Sequence, residues 1–206
     1  VKVGNGAFMT NLKEARELST LMVKIGELAG RKVVALLSDM NQPLGRMAGN
    51  AVEVDESIAA LEGHGPADLM AVTLALGAEV LVSAKHSATL DEATAKLQHT
   101  IESGEAREQF SQMVSAQGGD LNAPRPIAPA SELPSPSGGY LAAIDAELLA
   151  KAVTAMGGGR QQLGDELDHS TGIEMLTRLG DKLDAGQPLV RIFAKLLIAE
   201  RVRHTL

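Results

Sequence analysis

Five of the chain's eight prolines fall between Gly118 and Gly139, in GGDLNAPRPIAPASELPSPSGG. Proline fixes φ and removes a hydrogen-bond donor, so no continuous helix or central strand crosses this stretch. The chain therefore divides into residues 1–118, a Pro-rich linker at 119–138, and residues 139–206. Each flanking part must build a core of its own kind. Aromatic residues make up only 2% of the 206 residues, so Ala, Leu, Val, Ile and Met have to supply both cores.

The first part opens with VKV, which reads as the end of a strand running into a Gly4-Asn5-Gly6 turn. Asn11 is placed to cap a helix over LKEARELSTLMVKIGELAG. Leu12, Ala15, Leu18, Leu21, Met22 and Ile25 recur there at helical spacing, and Gly30 marks the end. RKVVALLS follows as an almost continuous apolar run, the pattern of a strand buried on both faces of a parallel sheet. Strand, helix and strand within about forty residues make a βαβ unit. Helices are then predicted at 51–62, 67–85, 90–103 and 105–117. In the second of these Pro66 suits the first turn, and in the third Asp91 and Glu92 lie near the favourable end of the dipole.

The last part reads as α+β. GYLAAIDA is a strand candidate, AELLAKAVTAM is helical up to Gly157-Gly158-Gly159, and IEMLTRLGDKLDAGQPLVRIFA holds two strands with turns at Gly180-Asp181 and Ala185-Gly186. LLIAERVRHTL closes the chain as a final helix.

Composition removes several functional classes. The formal charge is −7, and stacking rings are scarce, so a nucleic-acid partner is not expected. There is no cysteine, hence no disulfide framework and no thiolate metal site. LMAVTLALGAEVLVSA contains Glu79 and is short for a bilayer span. No signal peptide is visible, and a reducing cytoplasm is the expected home.

Among individual residues, Lys2 stands at a strand's carboxyl end, where open α/β sheets bind ligands. A lysine there sets a point charge against an anionic group or carbonyl oxygen; the plainer reading is a solubilising strand-end residue. The polar loop Ser38 to Gly45 also follows a strand. It either orients a substrate, braces a neighbouring loop, or satisfies its own amides. MGGGR, Met156 to Arg160, has the composition of an anion nest but reads more simply as a helix stop. Asp165, Asp168 and His169 lack a second histidine at ligand spacing, and His64, His86, His99 and His204 are scattered, so no metal site is expected. GDKLDAGQPLVRIFAK resembles the barrel-sandwich sequences of biotinyl and lipoyl carriers, with Lys195 as the modifiable lysine. The flanking Phe193-Ala194 and Leu196-Leu197 depart from the carrier motif.

Taken in order, KVGNGAFM, GRKVVALLSDMNQPLGRMAGNAVEV, GPADLMAVTLALGAE, MVSAQGGD, MGGGR and LGDKLDAGQPL resemble the C-terminal half of thymidine phosphorylase and its pyrimidine-nucleoside phosphorylase relatives. The likeness fades in the Pro-rich stretch and after Phe193. It implies a partial nucleoside-phosphorylase α/β domain followed by a small α+β, barrel-sandwich-like module. The implied reaction is reversible phosphorolysis of pyrimidine (deoxy)nucleosides by a cytoplasmic homodimer that needs no organic cofactor. Its partners are small molecules: the nucleoside and phosphate. The family's phosphate loop, Lys-His-Ser-x-Gly-Gly, has no match in this sequence, nor do the arginine and serine that help hold the pyrimidine. The resemblance implies one site residue, Lys2, as a contact to a carbonyl of the base. A chain without the phosphate loop is expected to be inactive alone. The alternative is a non-catalytic or carrier-like module ending at Lys195.

Overall fold

The computed structural model describes residues 1–203. The chain forms mixed α and β structure in two compact units, neither of them contiguous in sequence. The first takes Val1–Val3, Met9–Ser38 and Ser57–Ala123; the second takes Gly4–Phe8, Asp39–Glu56 and everything from Pro124 onward.

The first unit is mainly helical. Strand β1 (Lys2–Val3) pairs with β2 (Ser38–Asp39), and α1 (Leu12–Leu28) lies between them in sequence. Asn11 caps α1 as expected, its Oδ1 accepting from the Glu14 amide at 2.9 Å. The later part of α2 (Ala51–Leu61) leads to α3 (Ala67–Ser83), α4 (Leu90–Glu102) and α5 (Glu105–Ala116). All four helices lie within two residues of their expected bounds. At the start of α4, the Thr89 hydroxyl accepts from the Glu92 amide, while the Glu92 carboxylate accepts from the Ala88 amide at 2.9 Å. One first-turn donor of the helix and the amide just before its cap are thereby satisfied. Helices α3 and α4 pack closely at Gly77, where a Cβ would come 2.7 Å from a methyl of Leu97.

RKVVALLS departs from expectation. Only Ser38 and Asp39 form strand, and residues 31–37 join no ladder. A parallel strand needs neighbours along its edges. Here the backbone hydrogen bonds among the described residues are few: Arg31 N donates to Gly26 O at 2.8 Å, the Val1 ammonium donates to Leu36 O at 2.6 Å, and Ser38 N donates to Val1 O at 3.0 Å.

The second unit is built on a four-stranded antiparallel sheet in the order β3 (Met47–Gly49), β6 (Gly172–Met175), β8 (Pro188–Phe193) and β4 (Ala130–Pro134). A second ladder joins β5 (Gly139–Tyr140) to β7 (Lys182–Leu183). Helix α6 (Ala146–Val153) runs into a wider turn at Thr154–Gly158, and α7 (Leu196–Arg203) ends the described chain. The core gathers Leu149, Ala152, Val153, Met156, Ile173, Met175, Val190, Ile192, Ala199 and Val202. Alternation along β8 explains its shape. Val190 and Ile192 turn inward, while Arg191 turns outward to reach Glu132 and Glu174 on the flanking strands.

The tail thus holds three strands where two were expected, since β7 is only two residues long. The Pro-rich stretch 119–138 contains no helix, and its later half supplies β4 at the sheet edge. Pro134 is tolerated there because the register shifts between Leu133 and Pro134, and an edge strand does not need every amide.

Candidate functional site

Strand β1 ends at a residue whose side chain alternates as the pleat requires. Val1 and Val3 are half-buried, and Lys2 between them is exposed. Lys2 makes no hydrogen bond or ion pair among the described residues. Its ammonium is open to a ligand or to water.

The turn after β1 belongs to the second unit, and its glycines are there because backbone meets backbone. Gly4 has φ of 141°, and a Cβ on it would lie 2.6 Å from the carbonyl carbon of Met40. Gly6 N donates to Met40 O at 3.1 Å, and a Cβ on Gly6 would strike the Cβ of Ala146 at 2.8 Å. Neither position accepts a side chain without displacing a neighbour. Asn5 uses its amide N–H and both ends of its side chain. Its N–H donates to Asn41 Oδ1 at 3.1 Å. Its Nδ2 donates to Ile144 O at 2.6 Å, and its Oδ1 accepts from Ala146 N at 3.1 Å. One amide side chain therefore ties this turn to the start of α6. Phe8, at the end of the turn, is fully exposed.

The loop after β2 is held from the other side of the sequence. Gln42 Oε1 accepts from Leu179 N at 3.1 Å. The Arg178 guanidinium donates to Pro43 O at 2.9 Å and Gly45 O at 2.6 Å, and Met175 N donates to Arg46 O at 2.7 Å. The Glu56 carboxylate accepts from Arg46 N at 2.8 Å, pressed so closely on Gly45 that a Cβ there would sit 2.4 Å from Oε2. Asn41 Nδ2 donates to Asp39 Oδ1. Of the readings open for this loop, bracing a neighbour describes its contacts: Asn41 and Met40 receive the Asn5–Gly6 turn. Asn5 and Arg178 are the residues that the sequence alone did not single out. The only local signal was an amide side chain set between two glycines.

The remaining candidates have local roles. Gly157 and Gly158 present carbonyls to Asp168 N and Asn50 Nδ2, at 2.9 Å each, so this part of the glycine run works as acceptors and as a tight turn. Asp165 Oδ2 accepts from the amides of Gln161 and Gln162. Asp168 is held below the usual carboxylate range, first by the Ser170 hydroxyl and then by the Ser170 amide and the Lys195 ammonium, which outweigh the opposing effect of burial. His169 contributes its carbonyl to Ala51 N. No group of three His, Cys, Asp or Glu among the described residues is arranged to hold a metal. His204 lies outside the described residues. Lys195 follows β8 and leads into α7, with its ammonium 3.7 Å from Asp168; a carrier lysine would stand at a hairpin tip. No helix among the described residues is long and apolar enough to cross a membrane.

Comparison with known proteins adds the rest. Residues 1–107 match the a/b domain of the glycosyl transferase family, and residues 140–204 match the pyrimidine nucleoside phosphorylase C-terminal domain. A pyrimidine-nucleoside phosphorylase of Bacillus subtilis is 41% identical over 200 residues, covering 94% of this chain and 46% of the relative. Proteins of the same name from Staphylococcus haemolyticus and Staphylococcus aureus are 41% and 39% identical over 198 residues, each covering 93% of this chain and 46% of the relative. The chain spans about half the length of the curated relatives it matches.

Proposed function

The chain belongs to the pyrimidine-nucleoside phosphorylase family of glycosyl transferases, and from that premise we propose that it serves in reversible phosphorolysis of pyrimidine nucleosides. The observation that carries this reading is collinear identity of 41% over 94% of the chain. In this reaction phosphate displaces the base from the sugar. The C–N glycosidic bond breaks, its electron pair leaves with the pyrimidine, and a C–O bond to phosphate forms. Negative charge builds on the base carbonyls while the sugar becomes oxocarbenium-like.

Lys2 is the residue proposed to meet that charge. A fixed ammonium interacts more strongly with the developing anion than with the neutral nucleoside, and so lowers the barrier. Such a contact supplies roughly 2–4 kcal/mol. What supports the assignment is the position at a strand's carboxyl end and the exposed side chain with no partner among the described residues. In a polypeptide that includes the phosphate-binding half, Lys2→Ala is expected to lower kcat more than it raises KM. Lys2→Arg is expected to restore only part of the rate, because a planar fork differs in length and direction from an ammonium. Wild-type kinetics for Lys2→Ala would make Lys2 a solubilising residue.

The 206-residue chain alone is proposed to be inactive, because its sequence has no Lys-His-Ser-x-Gly-Gly loop. Release of free base from thymidine or uridine, with and without phosphate, tests this. Phosphate-dependent turnover of about 1–1000 per second would overturn it. Cytoplasmic location, a homodimeric assembly and a barrel-sandwich likeness of residues 139–206 belong to the same reading. So does the partition at 119–138. Limited proteolysis is expected to cut there, ahead of β4, before it cuts within 11–117; the reverse order would count against that boundary.

A further inference from the structure

Two loops follow the carboxyl ends of β1 and β2, the positions at which α/β sheets take ligands: the turn Gly4–Phe8 and the loop from Met40 to Gly45. They bond to each other. Asn5 N donates to Asn41 Oδ1 and Gly6 N to Met40 O, at 3.1 Å each. Both loops belong to the stretch that matches the a/b domain. Further groups that hold them come from the stretch that matches the C-terminal domain. Ile144 O and Ala146 N hold the Asn5 side chain, while Arg178 and Leu179 N hold the second loop.

Arg178 stands on a fixed base. Its own N–H donates to the Asp181 carboxylate at 2.7 Å, and Asp181 N donates back to Arg178 O at 3.0 Å. Leu141 N donates to Asp181 O and Gly180 N to Leu141 O, at 2.9 Å each, so this turn extends the β5–β7 ladder. Just before it Thr177 is buried, its hydroxyl donating to Leu189 O at 3.3 Å. From this base one guanidinium nitrogen, Nη1, donates to both Pro43 O and Gly45 O. A charged donor binds a carbonyl more strongly than a neutral one, and one nitrogen on two carbonyls fixes their spacing. Gly45 is itself buried at φ 71°, with the Glu56 carboxylate against it, so this loop has little room to shift.

We propose that Arg178 is a positioning residue for phosphorolysis, acting on the turn Gly4–Phe8 through the loop it holds. The path is continuous. It runs from Arg178 to Pro43 O and Gly45 O, along the backbone to Met40 and Asn41, and from these to Asn5 and Gly6. Where a loop orients reacting groups, a displacement of about 1 Å costs about a hundredfold in rate. The segment that matches the C-terminal domain thereby takes part in the reaction by setting two loops of the a/b domain. The inference rests on the phosphorolysis reading and not on the role given to Lys2.

The test has two arms. In the 206-residue chain, Arg178→Met is expected to quicken hydrogen exchange at the Asn5 and Gly6 amides about tenfold or more, while α3 to α5 keep their rates. Unchanged exchange at those two amides overturns the inference. The second arm uses a polypeptide that includes the phosphate-binding half, with thymidine or uridine, well below each variant's unfolding midpoint. There Arg178→Met is expected to lower kcat about tenfold or more, with KM changed less than about threefold. Arg178→Lys keeps a cation with several donors and should recover part of the rate. Asn5→Ala, at the other end of the path, should lower kcat as well. The double variant should lose less than the product of the two losses, because both loosen the same turn. Ile192→Val lowers the stability of the same unit from its core and should leave kcat and KM unchanged. Arg178→Gln repeats both arms, so that a fold lost with methionine does not end the test. The inference is overturned by an unaltered kcat in the folded variants, by an equal loss in Ile192→Val, or by fully multiplicative losses in the double variant. A parent polypeptide that releases no base overturns the phosphorolysis reading itself, and this inference with it.

Discussion

Helix α1 in the first unit and strand β8 in the second are both amphipathic, yet they meet opposite fates. In β8 the alternating Val190 and Ile192 are buried, and Arg191 between them pairs with Glu132 and Glu174 on the neighbouring strands. In α1 two residues are buried, while four large apolar side chains of the adjoining strip stand half exposed or more. The contrast does not come from local sequence quality, because α1 is well capped and at full length. It comes from supply. The second unit contains all four strands of its sheet and both helices that pack its core. In the first, no described residue covers the strip of Leu21, Met22, Ile25 and Leu28 on α1. Periodicity thus says which face wants burial, and only tertiary context says whether the burial takes place.

The sharpest way to break this comparison is to truncate one side chain in each place. Ile192→Ala removes a side chain with no exposure from the centre of the second unit's core, and should destabilise that unit by about 2–5 kcal/mol in urea denaturation. Leu21→Ala in the isolated chain should change stability by less than about 0.5 kcal/mol. Similar costs at the two sites would mean that α1 is covered in solution.

Gly4→Ala comes next. The added methyl meets the backbone of Met40 and Asn41 in a conformation that alanine rarely adopts, so a loss of roughly 1–3 kcal/mol is expected. Asn5→Ala leaves Ile144 O and Ala146 N without their partners and should cost about 1–2 kcal/mol, given that the site is only partly buried. Hydrogen exchange at the Gly6 and Ala146 amides should quicken in that variant, while α3 to α5 stay unchanged. Uniform quickening throughout would mean that Asn5 acts on the whole chain and not on this turn.

The smallest expected effect is one of pH. Asp168 has its carboxyl held below the ordinary value by Ser170 and Lys195. A depressed folded-state pKa gives stability that is present above the unfolded value, near 4, and is lost as pH falls through the folded one. Asp168→Asn should therefore lower stability equally at neutral and alkaline pH and flatten its decline below about pH 4. An unaltered acid limb would show that the Ser170 contact does not favour the ionised form.

How much of this was legible in the sequence follows from the range of the interactions involved. Helices α1 to α5 were read to within two residues because caps and first-turn residues act locally, as with Asn11, Pro66, Asp91 and Glu92. Residues 31–37 were read as strand from their apolar run, but a strand is defined by neighbours that the run does not contain. Strand β4 was hidden because its prolines read as breakers, and β7 because two residues give no period. The turn at Gly4–Gly6 and the loop after Asp39 were both legible as strand-end loops. Their bracing was not: Asn5 meets Ile144 and Ala146 at separations of 139 and 141 residues, and Arg178 meets Pro43 at 135. No window along the chain spans such distances.

The Asn5 amide also sets a chemical clock. An asparagine followed by glycine is prone to lose its side-chain nitrogen by attack from the next peptide N–H, and here that N–H is engaged with Met40 O while the amide is held at both ends. The contacts that fix the turn thus also slow its ageing. Once deamidated, the residue becomes an acceptor only. It keeps Ala146 N but sets a carboxylate oxygen against Ile144 O, where a donor had been. Asn5 is the sequence's single Asn-Gly, so the loss is one event in each molecule. An old preparation should therefore hold two populations, intact and released at this turn, and not a graded decline.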